Sequence, residues 1–102
     1  MSIPTNNFIK KIWLNKRERI QTINLPKNMQ ILSFTLVEDG ILDQQPTINV
    51  LCHSKQSQVV ANTFMLLHTH EEVTENMDWW QFHHTYVLEN GLELHLFSKR
   101  II

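Results

Sequence analysis

Trp79-Trp80-Gln81-Phe82-His83-His84-Thr85-Tyr86-Val87-Leu88-Glu89-Asn90-Gly91-Leu92-Glu93-Leu94-His95-Leu96-Phe97 decides the fold, because it alternates in steps of two on both sides of a single glycine. Trp80, Phe82, His84, Tyr86 and Leu88 share one parity, and Leu92, Leu94 and Leu96 repeat the pattern after the break. Such alternation marks two strands, each half-buried on one face. Turn length then sets which faces meet. A two-residue Asn90-Gly91 loop would oppose Leu88 to Glu93 and Val87 to Leu94, mixing apolar and charged positions. A three-residue loop with Gly91 in the left-handed region opposes Leu88 to Leu92 and Tyr86 to Leu94. Only this second register keeps one apolar face, since a slip of one residue inverts every side chain. The alternation places Trp80 inward with Phe82, Tyr86 and Leu88, and leaves Trp79, Val87 and Phe97 facing outward.

The rest of the chain follows the same period. Leu32, Phe34 and Leu36 alternate through residues 30–37, and Ile48, Val50 and Cys52 through residues 47–53. Ser54-Lys55-Gln56-Ser57 is a polar turn before the apolar stretch 58–68, so residues 47–68 read as a second hairpin. Residues 8–14 and 19–24 are weaker strand candidates, and Leu25-Pro26-Lys27-Asn28 reads as a turn. The acidic stretch 71–78 has no period and reads as a loop with at most one helical turn. With no sustained 3.6-residue stripe, the expectation is an all-β fold: a small antiparallel sandwich or barrel of about six to seven strands.

Composition bounds the class. A chain of 102 residues, 42% hydrophobic, suits one domain, read as 8–102 behind a flexible segment 1–7. The single Cys52 cannot form an internal disulfide, and it shares its strand face with Ile48 and Val50, as a buried apolar residue would. No apolar run is long enough to cross a bilayer as a helix, and residues 1–7 lack the layout of a signal peptide, so a cytoplasmic location and no membrane partner are expected. The net charge of −1 conceals a polarity. Lys10, Lys11, Lys16, Arg17, Arg19 and Lys27 cluster early, whereas Lys55 is the only base between Glu38 and Glu93.

Ile20-Gln21-Thr22-Ile23-Asn24-Leu25-Pro26-Lys27-Asn28-Met29-Gln30-Ile31-Leu32-Ser33 resembles the opening of a family of small phage and prophage domains of unknown function. Leu94-His95-Leu96-Phe97 is similar to that family's aliphatic-His-aliphatic-Phe close, and His68-Thr69-His70 stands where the family carries Thr-Gly-His. The resemblance implies a β domain encoded on a mobile element, acting in the host cytosol. Small accessory proteins of this kind often inhibit a host defence component by stoichiometric binding.

The residues themselves carry little catalytic chemistry. Cys52 and His53 are neighbours on a strand and point to opposite faces, so they form no thiolate–imidazolium pair. With two glycines in the chain, a backbone phosphate cradle is hard to build. A non-enzymatic binding protein without a cofactor is therefore expected. The contact patch is read as Trp79, Val87 and Phe97, with Glu71, Glu72, Glu75 and Asp78 as acidic surroundings and a host protein as partner. A homodimer through the same patch or through an edge strand is a further possibility. Two alternatives stand beside it. Lys10, Lys11, Arg17 and Arg19 could grip the phosphates of a nucleotide or nucleic acid, although a pI of 6.6 is low for a dedicated binder. His68, His70, His83 and His95 could hold a metal, because His68 and His70 share a strand face while His83 and His95 lie diagonally on the outer one.

Overall fold

A computed structural model describes residues 7–38, 40, 43–53 and 58–99. The strands are β1 (Asn7–Trp13), β2 (Ile20–Pro26), β3 (Gln30–Glu38), β4 (Gln44–His53), β5 (Val59–His68), β6 (Trp80–Val87) and β7 (Glu93–Lys99). A 3-10 turn, Met77–Trp79, precedes β6. The strands form two antiparallel sheets, β1-β4-β3 and β2-β5-β7-β6, packed face to face as a sandwich. Of the segment 1–7 expected to be flexible, residues 1–6 lie outside the described residues and Asn7 opens β1. No described helix is long and apolar enough to cross a membrane.

The β6–β7 turn has the three-residue form that parity demands. Tyr86 opposes Leu94, the Leu88 amide donates to the Leu92 carbonyl at 2.8 Å, and the Gly91 amide donates to the Leu88 carbonyl at 3.0 Å. Gly91 has φ +86°, a conformation that a side chain resists.

The second expected hairpin does not form. β4 pairs with β1 and β3, whereas β5 pairs with β2 and β7, so the chain crosses from one sheet to the other between them. Residues 54–57, read as that hairpin's turn, lie outside the described residues. Burial explains the crossing. Phe64, Met65, Leu66 and Leu67 are buried in succession, so both faces of β5 are covered. Ile48, Val50 and Cys52 are fully buried along one face of β4. Two such strands satisfy their backbone groups and bury their side chains best at the centres of separate sheets, each with a neighbour on either side.

The alternation of β6 also breaks. Phe82 opposes Phe97, yet His84 opposes Leu96, leaving His83 as the extra residue of a β-bulge. His83 and His84 both turn inward toward Phe34 of β3, at ring separations of 5.8 and 5.1 Å. Everything before the bulge therefore changes face. Trp80 and Phe82, expected inward, project from the outer side of their sheet. Trp80 is nevertheless buried, in a satellite cluster with Met65 and Leu67 flanked by Met77 and Phe97.

The main core joins Ile12, Leu14, Leu25, Ile48, Val50, Cys52, Phe64, Leu66, Tyr86, Leu88, Leu94 and Leu96 from both sheets. Tyr86 ties the layers together: its hydroxyl donates to the Thr47 carbonyl at 2.8 Å, and burial pushes its pKa up. Tyr86→Phe keeps the ring and deletes this bond. The expected cost is about 1–2 kcal/mol, measured as a lower denaturant midpoint with an unchanged slope.

Candidate protein-binding face

The outer side of the β2-β5-β7-β6 sheet is shaped by residues 69–79, which fold back across it. This segment is acidic, and one cation holds it. The Arg19 guanidinium forms a fork on Glu75, with Nε to Oε1 at 3.0 Å and Nη2 to Oε2 at 2.7 Å. It also reaches Glu71 at 2.5 Å and donates to the Glu72 carbonyl at 3.2 Å. Arg19 is positioned by its own backbone, whose carbonyl accepts from the Leu66 amide at 2.8 Å. Glu71 in turn accepts the His68 amide at 3.2 Å. Planar, two-point pairing of this kind suits arginine and not lysine. Two of the four expected acidic surroundings, Glu71 and Glu75, are thus consumed internally; Glu72 and Asp78 stay exposed.

Clamping the segment has a packing consequence. It seats Met77 against Met65, Leu67 and Trp80, so an outer sheet face becomes a small second core. Asn76 caps the 3-10 turn, its side-chain oxygen accepting the Asp78 amide at 3.1 Å. The turn then presents Trp79 outward at 45% exposure while Trp80 is only 9% exposed.

The Arg19 hydrogen bond holds the Glu75 carboxyl below its usual range and raises the guanidinium further. A depressed carboxyl stabilises the fold above its unfolded pKa, and the contribution is lost as pH falls through the folded value. Acid is therefore expected to loosen residues 69–79 before the sandwich itself melts. Arg19→Ala should do the same at neutral pH, with red-shifted tryptophan emission and cleavage within residues 71–76 accelerated by about tenfold or more. Unchanged emission and cleavage would show that Met77 and Trp80 hold the segment without the clamp.

The expected contact residues do not gather at one point. Val87 is 59% exposed but opposes Glu93 at the far end of β6, about 20–25 Å of strand from Trp79. Phe97 is half-buried and meets Phe82 edge-to-face, ring centres 5.5 Å apart. Between this pair and Val87 lies a polar step, where His95 bonds the hydroxyls of Thr69 at 2.7 Å and Thr85 at 2.9 Å. The aromatic pair on this face is Phe82 with Phe97, and Trp79 stands just before the same strand, at a shallow pocket with Glu75, Trp80 and Lys99. Phe82, 48% exposed, was hidden from sequence reasoning by the bulge. The available signal was two consecutive histidines in a strand whose alternation otherwise leaves no room for both.

The histidines and bases disperse. His83 faces inward and bonds the Ser98 hydroxyl at 2.6 Å, so it is not diagonal to His95 on the outer face. His70 sits in a turn at φ +71° beyond the end of β5, which removes it from the strand face it was expected to share with His68. Among the described residues, no three His, Cys, Asp or Glu side chains are placed to hold a metal. Lys10 and Lys11 are consecutive in β1 and point to opposite faces. Arg17 lies beside Lys16 at a cleft with His68 and Leu92, and Arg19 is occupied by carboxylates, so the four proposed phosphate ligands form no single site. Lys16 is itself paired with Asp43, whose carboxyl it holds below the usual range.

No family model, curated protein or solved structure matches the chain.

Proposed function

We propose that the chain is a non-enzymatic protein-binding domain whose contact surface is the Trp79–Phe82–Phe97 stretch. The observation that carries this reading is the edge-to-face pair of half-exposed Phe82 and half-buried Phe97 on the outer sheet face, with Trp79 45% exposed just before the same strand. Aromatic rings fixed in this way give large contact area at little entropic cost on binding. Glu72 and Asp78 add an acidic margin that favours a basic rim on the partner. The bulge at His83 disrupts pairing along the β6 edge, so contact through side chains is favoured over addition of a further strand. The proposed setting, an accessory protein of a phage or mobile element that titrates a cytosolic host component, rests on the likeness of residues 20–33 and 94–97 to that family.

The test is a double variant, Trp79→Ala with Phe82→Ala, since both side chains are about half exposed and add little to the core. Its thermal midpoint should stay within about 5 °C of the parent. A host protein captured stoichiometrically by the parent should be lost, with affinity down about 100-fold or more if both rings are hot spots. Equal capture by the two proteins would overturn the reading. A parent that is dimeric by light scattering, with a monomeric variant, would reassign the surface to self-association.

A further inference from the structure

Among the described strands, β1 is the margin of the β1-β4-β3 sheet and pairs on one side only, with β4. Its register runs unbroken from Asn7 opposite His53 to Trp13 opposite Thr47, and the next amide, that of Leu14, donates to the Pro46 carbonyl at 3.0 Å. Antiparallel neighbours alternate between bonded and non-bonded pairs. The Leu14 bond therefore fixes the phase: the backbone groups of Phe8, Lys10 and Ile12 point toward β4, and those of Ile9, Lys11 and Trp13 point away from it. The other three margins are less regular. β3 is interrupted by a bulge at Leu32 and β6 by the one at His83. β2 ends on Pro26, which falls on the side away from β5 and has no amide hydrogen to offer there.

From this geometry we infer that β1 takes up an extended acidic segment of another protein as a fourth strand of its sheet. The outward amides and carbonyls of Ile9, Lys11 and Trp13 supply the ladder. Charge names the occupant. Lys10 and Lys11 stand in the middle of β1, one on each face, and both are exposed. Neither forms an ion pair among the described residues, and no acidic residue occurs in β1 or β4. A strand laid alongside has side chains on both faces, so acidic residues on either face meet a lysine across the new pair. The same lysines disfavour a second copy of this chain, because full-length antiparallel pairing of two β1 strands sets Lys10 directly against its own counterpart. Ile9 and Trp13, 65% and 51% exposed, flank Lys11 on the outer face and offer apolar area to the incoming strand. β1 belongs to the sheet that does not carry Trp79, Phe82 and Phe97, so this contact does not rest on the aromatic face.

The test titrates isotope-labelled protein with a capped eight-residue peptide that alternates glutamate and valine, and follows backbone amides. The peptide should saturate by about 5 mM, one per chain. At saturation the Ile9, Lys11 and Trp13 amides should exchange with solvent about fivefold or more slowly, whereas those of Lys10 and Ile12, already bonded to β4, should keep their rates. A lysine–valine peptide of the same length should bind about tenfold or more weakly. Lys10→Thr with Lys11→Thr alters two exposed side chains, so it should fold as the parent does and weaken the glutamate–valine peptide about fivefold, the scale of two exposed ion pairs. Lys11→Pro deletes one outward amide and should abolish binding; if it does not fold, the exchange pattern of the parent decides. Failure to saturate overturns the assignment. So does binding that leaves the three outward amides unprotected, since charge alone then holds the peptide. A short DNA duplex that shifts the same amides more tightly than the peptide would transfer the two lysines to phosphate contacts and overturn it as well.

Discussion

Deletion of His83 is expected to remove more than about 4 kcal/mol of stability, whereas His83→Ala costs about 1 kcal/mol. The extra residue lets β6 serve two interiors. Before it, Trp80 closes the outer cluster with Met65 and Leu67; after it, Tyr86 and Leu88 enter the main core. Without it the strand must choose. Keeping Tyr86 and Leu88 inward drives Trp80 and Phe82 into the space beside Phe34. Keeping Trp80 and Phe82 outward expels Tyr86 and Leu88 into water. Either choice misplaces at least two large apolar side chains, each worth about 1.5–3 kcal/mol when buried. His83→Ala keeps the backbone path and loses only the Ser98 bond and the ring contact with Phe34. It also changes the pH response. Burial lowers the His83 pKa, so the unfolded chain takes up this proton more readily than the folded one. The parent is therefore stable above the ordinary imidazole range and loses that contribution as pH falls through the folded value, a slope that His83→Ala should flatten. Chemical denaturation across pH measures both effects, and a deletion variant as stable as the parent would show that the two faces do not depend on the bulge.

The same residue marks where sequence reasoning stopped. Period two, with the apolar run 58–68, located the described strands to within a few residues. It also chose the β6–β7 register correctly, because Glu93 and Leu94 give opposite answers for the two turn lengths and only one answer keeps the charge out of the core. A bulge leaves no comparable trace. It changes parity without changing composition, so Trp80 and Phe82 looked as if they belonged with Tyr86. Trp80 is buried as expected, but on the opposite side of the sheet. The supposed hairpin of residues 47–68 failed for another reason. Adjacency in sequence does not reveal whether a polar connection turns within a sheet or crosses between two, and only the doubly covered run 64–67 hinted at a central strand. Charge was the least legible of all. Arg19 and Glu75 are 56 residues apart, so their pairing could not be read locally, and both were assigned to binding surfaces when their carboxylate–guanidinium contact instead holds the outer segment down.

Leu96→Ala is expected to cost about 3–4 kcal/mol, against less than about 1 kcal/mol for Leu92→Ala four residues earlier. Both leucines have the same parity and belong to the same apolar face in sequence. Leu96 is fully buried, between Leu66 of β5 and His84 of β6 in its own sheet, within the cluster that includes Ile48 and Val50 of the opposing sheet. Leu92 follows the glycine turn and is 45% exposed. Truncation at Leu96 removes apolar atoms and leaves a cavity that β7 cannot collapse, being hydrogen-bonded on both edges to β5 and β6. Truncation at Leu92 leaves only a shallower surface. For a domain this small, a loss of 3–4 kcal/mol is a large part of a total of about 5–15 kcal/mol, and should lower the thermal midpoint by about 12–32 °C. Equal costs at the two positions would mean that the layers are not packed through β7.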